Sequence, residues 1–275
     1  MPPATIASFL CRSCAVDYQN LLVADRGAVR QITINRPDKL NALNLQTLQE
    51  LDAAFRAARE DASVRVVVLA GSGEKAFVAG ADIAELATLS PVQAQAFSRA
   101  GQSLMRGIER SNKPVVARIQ GFALGGGMEL AMSCHLRIAA DKARLGQPEI
   151  NLGVIPGFGG TQRLTRLAGR AAALELCLLG APIDAARGQA LGLLNRVVPV
   201  DRLDEEVQAV ADQLAAAAPV ALAGILDAVT LGADCAMDPA LEFETQAFAL
   251  CCSTADMHEG TQAFLQKRKA VFSGR

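Results

Sequence analysis

The segment Val64-Arg-Val-Val-Val-Leu69, closed by Gly71, sets β-branched residues side by side instead of alternating them with polar ones. A strand of this kind offers no face to solvent, so it belongs inside a sheet covered on both sides. Pro114 to Ile119 is a second such strand and His135 to Ala139 a third. Helical stretches separate them, at about Pro91 to Arg110 and Gly126 to Cys134. Buried strands that alternate with helices predict parallel α/β units.

The flanks add detail. Tyr18 to Asn35 reads as two strands around a turn at Asp25-Arg26-Gly27; in the second, Val29, Gln31, Thr33 and Asn35 alternate with Arg30, Ile32 and Ile34. Leu45, Leu48, Leu51 and Phe55 recur at helical spacing, predicting an amphipathic helix from about Asn44 to Asp61 with Asn44 as its N-cap. After Gly160 the pattern is helical apart from Asn195 to Val198. The stretches are Asp201 to Ala217, Pro219 to Leu231, Pro239 to Cys251 and Met257 to Val271. The organisation expected is a short extension over residues 1–16, an α/β core over 17–200 and a helical region over 201–275. The extension, Met1 to Val16, lacks a basic n-region and a long apolar h-region, and is expected to be a disordered terminus. Its single Arg and absence of acids leave a mitochondrial transit peptide as the alternative.

Charge narrows the partners. With 27 basic and 28 acidic residues the net charge is -1, and no basic face is available to neutralise a nucleic-acid backbone. No run approaches the roughly 18 apolar residues of a membrane span. The one dense basic cluster, Lys267-Arg268-Lys269, suits a solvated helix end or a small anion. Seven irregularly spaced cysteines argue for a reducing compartment, hence a cytoplasmic location. Cys11 and Cys14 have no second pair to complete a zinc site. His135 and His258 are the only histidines, and neither G-x-S-x-G nor H-E-x-x-H occurs.

Chemistry concentrates in three segments. Gly121-Phe-Ala-Leu-Gly-Gly-Gly-Met-Glu-Leu130 follows a buried strand and opens a helix. Its three consecutive glycines either let a ligand oxygen touch backbone N–H groups or simply permit close helix–strand packing. Glu129 lies one turn into that helix. Leu145-Gly-Gln-Pro-Glu149 precedes Gly153-Val-Ile-Pro-Gly-Phe-Gly-Gly-Thr161, and sets Glu149 among apolar residues at the end of a predicted short strand. Desolvation there would raise its pKa toward values useful for proton transfer. Lys75-Ala-Phe-Val-Ala-Gly-Ala-Asp-Ile83 emerges at the carboxyl end of a strand, where α/β folds gather ligands. Two such loops can offer a pair of donors to one oxygen, an oxyanion hole in outline.

These segments resemble those of enoyl-CoA hydratases of the crotonase superfamily. Ala79-Gly-Ala-Asp-Ile83, Gly121 to Leu130, Gly146-Gln-Pro-Glu-Ile150 and Pro156-Gly-Phe-Gly-Gly-Thr-Gln-Arg163 carry the likeness. Arg36-Pro-Asp-Lys-Leu-Asn-Ala-Leu43 and Phe264 to Lys269 extend it over roughly Gln19 to Phe272. The resemblance implies an α/β spiral of ββα units, with C-terminal helices that build a homotrimer, and two trimers commonly stack into a hexamer. It implies a thioester carbonyl held by the backbone N–H groups of Ala81 and Gly126, with Glu129 and Glu149 sharing one water. Glu149 would protonate C2 of the enoyl group while Glu129 activates the water that attacks C3. The CoA of the acyl-CoA substrate would lie along Lys39, Leu40, Asp82, Ile83 and Ala84, with Phe264 and Lys267 reaching the CoA of a neighbouring subunit. No metal or redox cofactor is implied.

Two positions depart from the pattern: His135 stands where many relatives carry an acid after the Cys, and Asp38 replaces a basic residue of some members. Two glutamates favour the hydratase branch over isomerases and acyl-CoA hydrolases, which usually alter one carboxylate. A non-catalytic RNA-binding relative is the reading from another class, and the lack of a basic helix counts against it.

Overall fold

The computed structural model describes residues 18–275; the extension, with Cys11 and Cys14, lies outside the described residues. Strands β1 (Leu21–Arg26) and β2 (Val29–Ile34) pair antiparallel around Gly27, whose φ of 59° is left-handed. Asn44 caps α1 (Leu45–Glu60), its side chain accepting the Thr47 N–H at 2.9 Å. One pattern then occurs three times: a long strand, a short strand, and a helix. Strand β3 (Val66–Gly71) leads to β4 (Ala76–Val78), α2 (Ile83–Leu86) and α3 (Pro91–Glu109). Strand β5 (Val115–Ile119) leads to β6 (Phe122–Leu124) and α4 (Gly126–Ser133). Strand β7 (Leu136–Ala140) leads to β8 (Arg144–Gly146), a 3-10 turn over Pro148–Leu152, and α5 (Gly160–Leu179). The rest comprises β9 (Ile183–Asp184), α6 (Ala185–Ala190), β10 (Arg196–Val198), α7 (Leu203–Ala215), α8 (Pro219–Gly232), α9 (Met237–Cys252) and α10 (Ala255–Leu265).

The long strands, with the short β10 at one edge, form a six-stranded sheet in the order β1-β2-β3-β5-β7-β10, parallel except for the first pair. The other short ones form a second sheet, β4-β6-β8-β9, with only β8 and β9 antiparallel. Parallel α/β pairing is therefore as the buried runs predicted. Their composition follows from burial on both faces. Val67, Leu69, Val115, Ala117 and Ile119 enter the main core with residues of α1, α3, α4 and the small sheet. Val66, Val68, Val116 and Ile138 face the other way, beneath Leu203, Val207 and Val210 of α7.

Three expectations change. The stretch after Gly160 contains a second strand, β9, where Ile183 pairs with Leu145. The last helix ends at Leu265 and not Val271. Lys267 there adopts a left-handed φ of 55°, with Arg268 N–H donating to Ala263 O and Lys267 N–H to Phe264 O. That paired reversal closes a helix end. The chain then runs back along α10, where Val271 N–H donates to Glu259 and Ser273 N–H to Asp256. Finally, Glu149 lies in the 3-10 turn beyond β8 and not at the end of the strand.

Candidate active site

The three glycines before Glu129 do three different things. Gly125 has a left-handed φ of 51°, and a side chain on it would begin 2.9 Å from Glu149 Oε1. A Cβ on Gly126 would lie 3.5 Å from the Ala81 nitrogen, so the segment after β4 and the start of α4 bring these two backbone N–H groups together. A Cβ on Gly127 would fall 2.0 Å from Val78 O, which makes this residue a close-packing position. Close packing, one of the alternatives weighed for the triple glycine, is therefore realised at Gly127.

The segment 79–82 runs beside the Arg36–Leu43 loop. Ala79 N–H donates to Leu40 O at 3.0 Å, Leu43 N–H to Gly80 O at 2.9 Å, and Asp82 N–H to Leu43 O at 2.8 Å. These bonds fix Ala81 while its own N–H donates to none of the described residues. Gly126 heads α4, where the first N–H groups have no partner within the helix. Asn41 anchors the facing loop from within: its amide nitrogen donates to Ser72 O and Ala76 O, and its oxygen accepts from Arg36 N–H.

Glu129 is 1% exposed. Its Oε1 accepts the Phe158 N–H at 2.8 Å and the Gly160 N–H at 2.6 Å, at the N-terminus of α5. Burial pushes its pKa up to about 7, against the pull of those two donors and of the Arg163 guanidinium. Glu149, less enclosed, is also pushed up to about 7, by burial and then by the charge of Glu129. The charge of Glu129 disfavours ionisation of Glu149 and so favours a proton on the pair.

The surroundings decide where that proton sits. Backbone N–H groups can only donate, so the two at Glu129 favour its anion, against the burial that favours its neutral form. Glu149 faces the buried Gln147 amide, at 2.9 and 3.1 Å from its two oxygens. An amide can turn, its nitrogen donating to a carboxylate or its oxygen accepting from a carboxylic acid. The two carboxyls thus differ in what holds them, fixed N–H donors at Glu129 and an amide that can turn at Glu149.

Among the expected CoA residues, Lys39 and Leu40 lie in the loop that binds segment 79–82, next to Asp82, Ile83 and Ala84. Asp82 also serves the fold. It pairs with Arg36 at 2.8 Å and caps α2 through the Ala84 N–H, and Arg36 holds its carboxyl below the usual range. Phe264 and Lys267 are exposed at the end of α10, and no hydrogen bond among the described residues joins their side chains to the other site residues. His135 is structural: its Nδ1 accepts the Val115 N–H at 2.9 Å, its Nε2 lies 3.2 Å from Glu109 O, and burial lowers its pKa. No group of three His, Cys, Asp or Glu suited to a metal occurs among the described residues.

Sequence reasoning missed the donors to Glu129, the Gln147 amide, and Arg163 with its partner Glu109. The first had a signal, since glycines at a helix start offer N–H groups to an anion.

Comparison with known proteins gives the family. The family model described as enoyl-CoA hydratase/isomerase matches residues 24–275. The chain belongs to the enoyl-CoA hydratase/isomerase family. A short-chain-enoyl-CoA hydratase of Clostridium acetobutylicum is 43% identical over 254 residues, covering 92% of this chain and 97% of that protein. A crotonyl-CoA hydratase of Syntrophomonas wolfei is 44% identical over 255 residues, covering 93% and 98%. The crystal structure of an enoyl-CoA hydratase from Bacillus anthracis superposes with a TM-score of 0.90 at 40% identity, covering 94% of this chain and all of that one. The match to the enoyl-CoA hydratase/isomerase family takes in every candidate site residue, from Lys39 to Lys267.

Proposed function

We propose that the chain is an enoyl-CoA hydratase that adds water syn across trans-2-enoyl-CoA to give 3-hydroxyacyl-CoA, as in fatty-acid β-oxidation. The observation that carries the mechanism is the unequal treatment of a buried and a half-buried carboxyl: fixed N–H donors at Glu129, an adaptable amide at Glu149. Glu129 takes a proton from water as its oxygen bonds to C3. Glu149 gives its proton to C2. Passage of a proton from Glu129 back to Glu149 through the next water restores the starting state. As the C2–C3 double bond opens, charge moves onto the thioester oxygen, where the Ala81 and Gly126 N–H groups receive it. Such a donor typically contributes about 3–4 kcal/mol to the transition state.

The CoA moiety would follow Lys39, Leu40 and the Asp82–Ala84 backbone. Water supplies both added fragments and no electrons leave the substrate, so the scheme uses neither a metal nor a redox cofactor. We further assign a homotrimer, or a hexamer of two trimers, with Phe264 and Lys267 completing a neighbour's CoA site. This is supported by α8 and α9, which bury no residue within one chain although Ile225, Val229 and Phe248 are apolar. A stable monomer in light scattering would contradict that assembly. A cytoplasmic location accompanies this reading, with the mitochondrial matrix as the alternative should residues 1–16 direct import.

The deciding experiment follows the conjugated-thioester absorbance of crotonyl-CoA in the presence of the purified protein. Rapid loss, abolished in Glu129→Gln and in Glu149→Gln while ester binding persists, is the expected result. Wild-type turnover in Glu149→Gln would sink the proton-donor assignment. Absorbance that instead appears when a 3-enoyl-CoA is supplied would mark an isomerase.

A further inference from the structure

We infer that Arg163, anchored by Glu109, is a positioning residue that keeps Glu129 in its ionised, water-activating state. The inference rests on the reading of Glu129 as the base of the pair. Glu109 closes α3 and grips the Arg163 guanidinium with both oxygens, at 2.6 and 3.0 Å. Another nitrogen of the same guanidinium donates to the Phe158 carbonyl at 2.7 Å. The Phe158 N–H, on the other side of that residue, is one of the two donors to Glu129. The chain of contact therefore runs from α3 through Arg163 and the Phe158 backbone to the reacting carboxylate.

Two further observations make this a built arrangement. Gly159 has a φ of 105°, and a Cβ there would meet the Arg163 guanidinium at 2.4 Å, so the loop leaves the space that the side chain crosses. The end of α3 is itself fixed, because the His135 ring lies against the Glu109 carbonyl while accepting the Val115 N–H. His135 is thus a brace for Glu109 at the position where the resemblance leads one to expect an acid.

The electrostatics agree in sign. Glu129 is buried, which favours its neutral form; Arg163 and the two N–H donors oppose this. The other titratable groups around it are Glu149 on the 3-10 turn and Cys177 on α5, whose thiol is raised by burial and by both glutamates. Each of these disfavours a negative charge on Glu129 or is neutral. Arg163 is the cation that acts in the opposite sense. A planar fork can hold a carboxylate and a carbonyl together, whereas a lysine ammonium offers the charge without that geometry.

The test is the pH profile of crotonyl-CoA hydration in Arg163→Gln and Arg163→Lys. In Arg163→Gln the acid limb of kcat is expected to move upward by about one pH unit, a tenfold gain in proton affinity. KM should change by less than about threefold, because the lost interaction acts on the chemical step. Arg163→Lys is expected to move the limb the same way by less, and it decides the matter if the glutamine variant fails to fold. A fall in kcat that is equal at every pH, with the acid limb in place, would overturn the proposal and leave Arg163 a purely structural residue. Glu129→Gln separates the two levels. If that variant still hydrates, the reading of Glu129 fails and the inference falls with it. If it is inactive while both Arg163 variants keep the wild-type limb, only the inference fails.

Discussion

Replacing Gly160 by alanine adds one methyl group beside the Glu129 carboxylate. Gly160 begins α5 and is absent from the positive-φ positions, so an L-residue meets no backbone strain there. By helix propensity alone, alanine would stabilise the fold by about 0.4–1 kcal/mol. The new Cβ, however, would stand 2.6 Å from Gln147 Nε2 and 2.9 Å from both Cγ and Oε1 of Glu129. Something must withdraw, and withdrawal of Glu129 gives up its 2.6 Å bond to the Gly160 N–H. A hydrogen bond to a charged group contributes about 1.5–3 kcal/mol, and overpacking typically adds about 1–3 kcal/mol of strain. After the gain from alanine, the net destabilisation expected is about 1.5–5.6 kcal/mol, visible as a Tm lowered by several degrees.

Catalysis should suffer more than folding. General bases contribute about 10²–10⁴-fold, and a misplaced one forfeits much of that, so kcat is expected to fall by about 10²-fold. KM should hardly move, since the segments assigned to CoA lie on other loops. The assay is crotonyl-CoA hydration at saturating substrate beside a thermal melt. A Gly160→Ala protein with wild-type kcat would refute the argument that the Glu129 carboxylate must stay where the α5 N-terminus holds it.

Hydration should follow a bell-shaped pH profile around neutrality, because burial brings both carboxyls to about 7. Below it Glu129 takes up a proton and cannot act on water; above it Glu149 loses the proton intended for C2, and a flat profile between pH 5 and 9 would contradict this. Stability carries the same signature: the Glu129 carboxyl is raised from an ordinary 4.5 to about 7, so its protonated form favours the fold. That contribution is complete below about 4.5 and lost as pH rises through about 7; Glu129→Gln should flatten the denaturant midpoint across this window, and an unchanged slope would count against it. Phe158→Ala should widen the acyl space, since its ring packs at 5.1 Å on Phe97 and borders Gly126. The ratio of octenoyl-CoA to crotonyl-CoA kcat/KM should rise while core truncation costs about 3–5 kcal/mol; an unchanged ratio would remove Phe158 from the pocket.

The long strands and helices were legible because each spans enough residues for a period or a buried run to register. Val66 to Leu69 announces a strand covered on both faces, and Asn44 announces a helix start. The second sheet followed from the resemblance and not from periodicity, because strands of three residues such as Ala76–Val78 and Phe122–Leu124 show none. The end of α10 was hidden for another reason: its left-handed closing residue is Lys267, where a glycine would have been the usual signal. At the site, both glutamates were found through their glycine-rich company. Their division of labour came only from the resemblance, because in the residues it depends on N–H groups that every residue but proline possesses. The Glu109–Arg163 pair joins positions 54 residues apart, a separation over which one sequence carries no pairing information.

The donors to Glu129 belong to the main chain, and this has consequences for how the loop can drift over generations. A peptide N–H is indifferent to the side chain beside it. Natural selection therefore sees the curvature of residues 157–160 before it sees their chemistry. Exchanges that preserve the bend can accumulate at Phe158 and reshape the neighbouring space, leaving the proton-handling centre untouched. Proline at 158 or 160 is the exception, because it erases a donor outright. Should the Phe158 ring border the acyl group, selectivity and competence for the chemistry would be stored in different parts of the same residue.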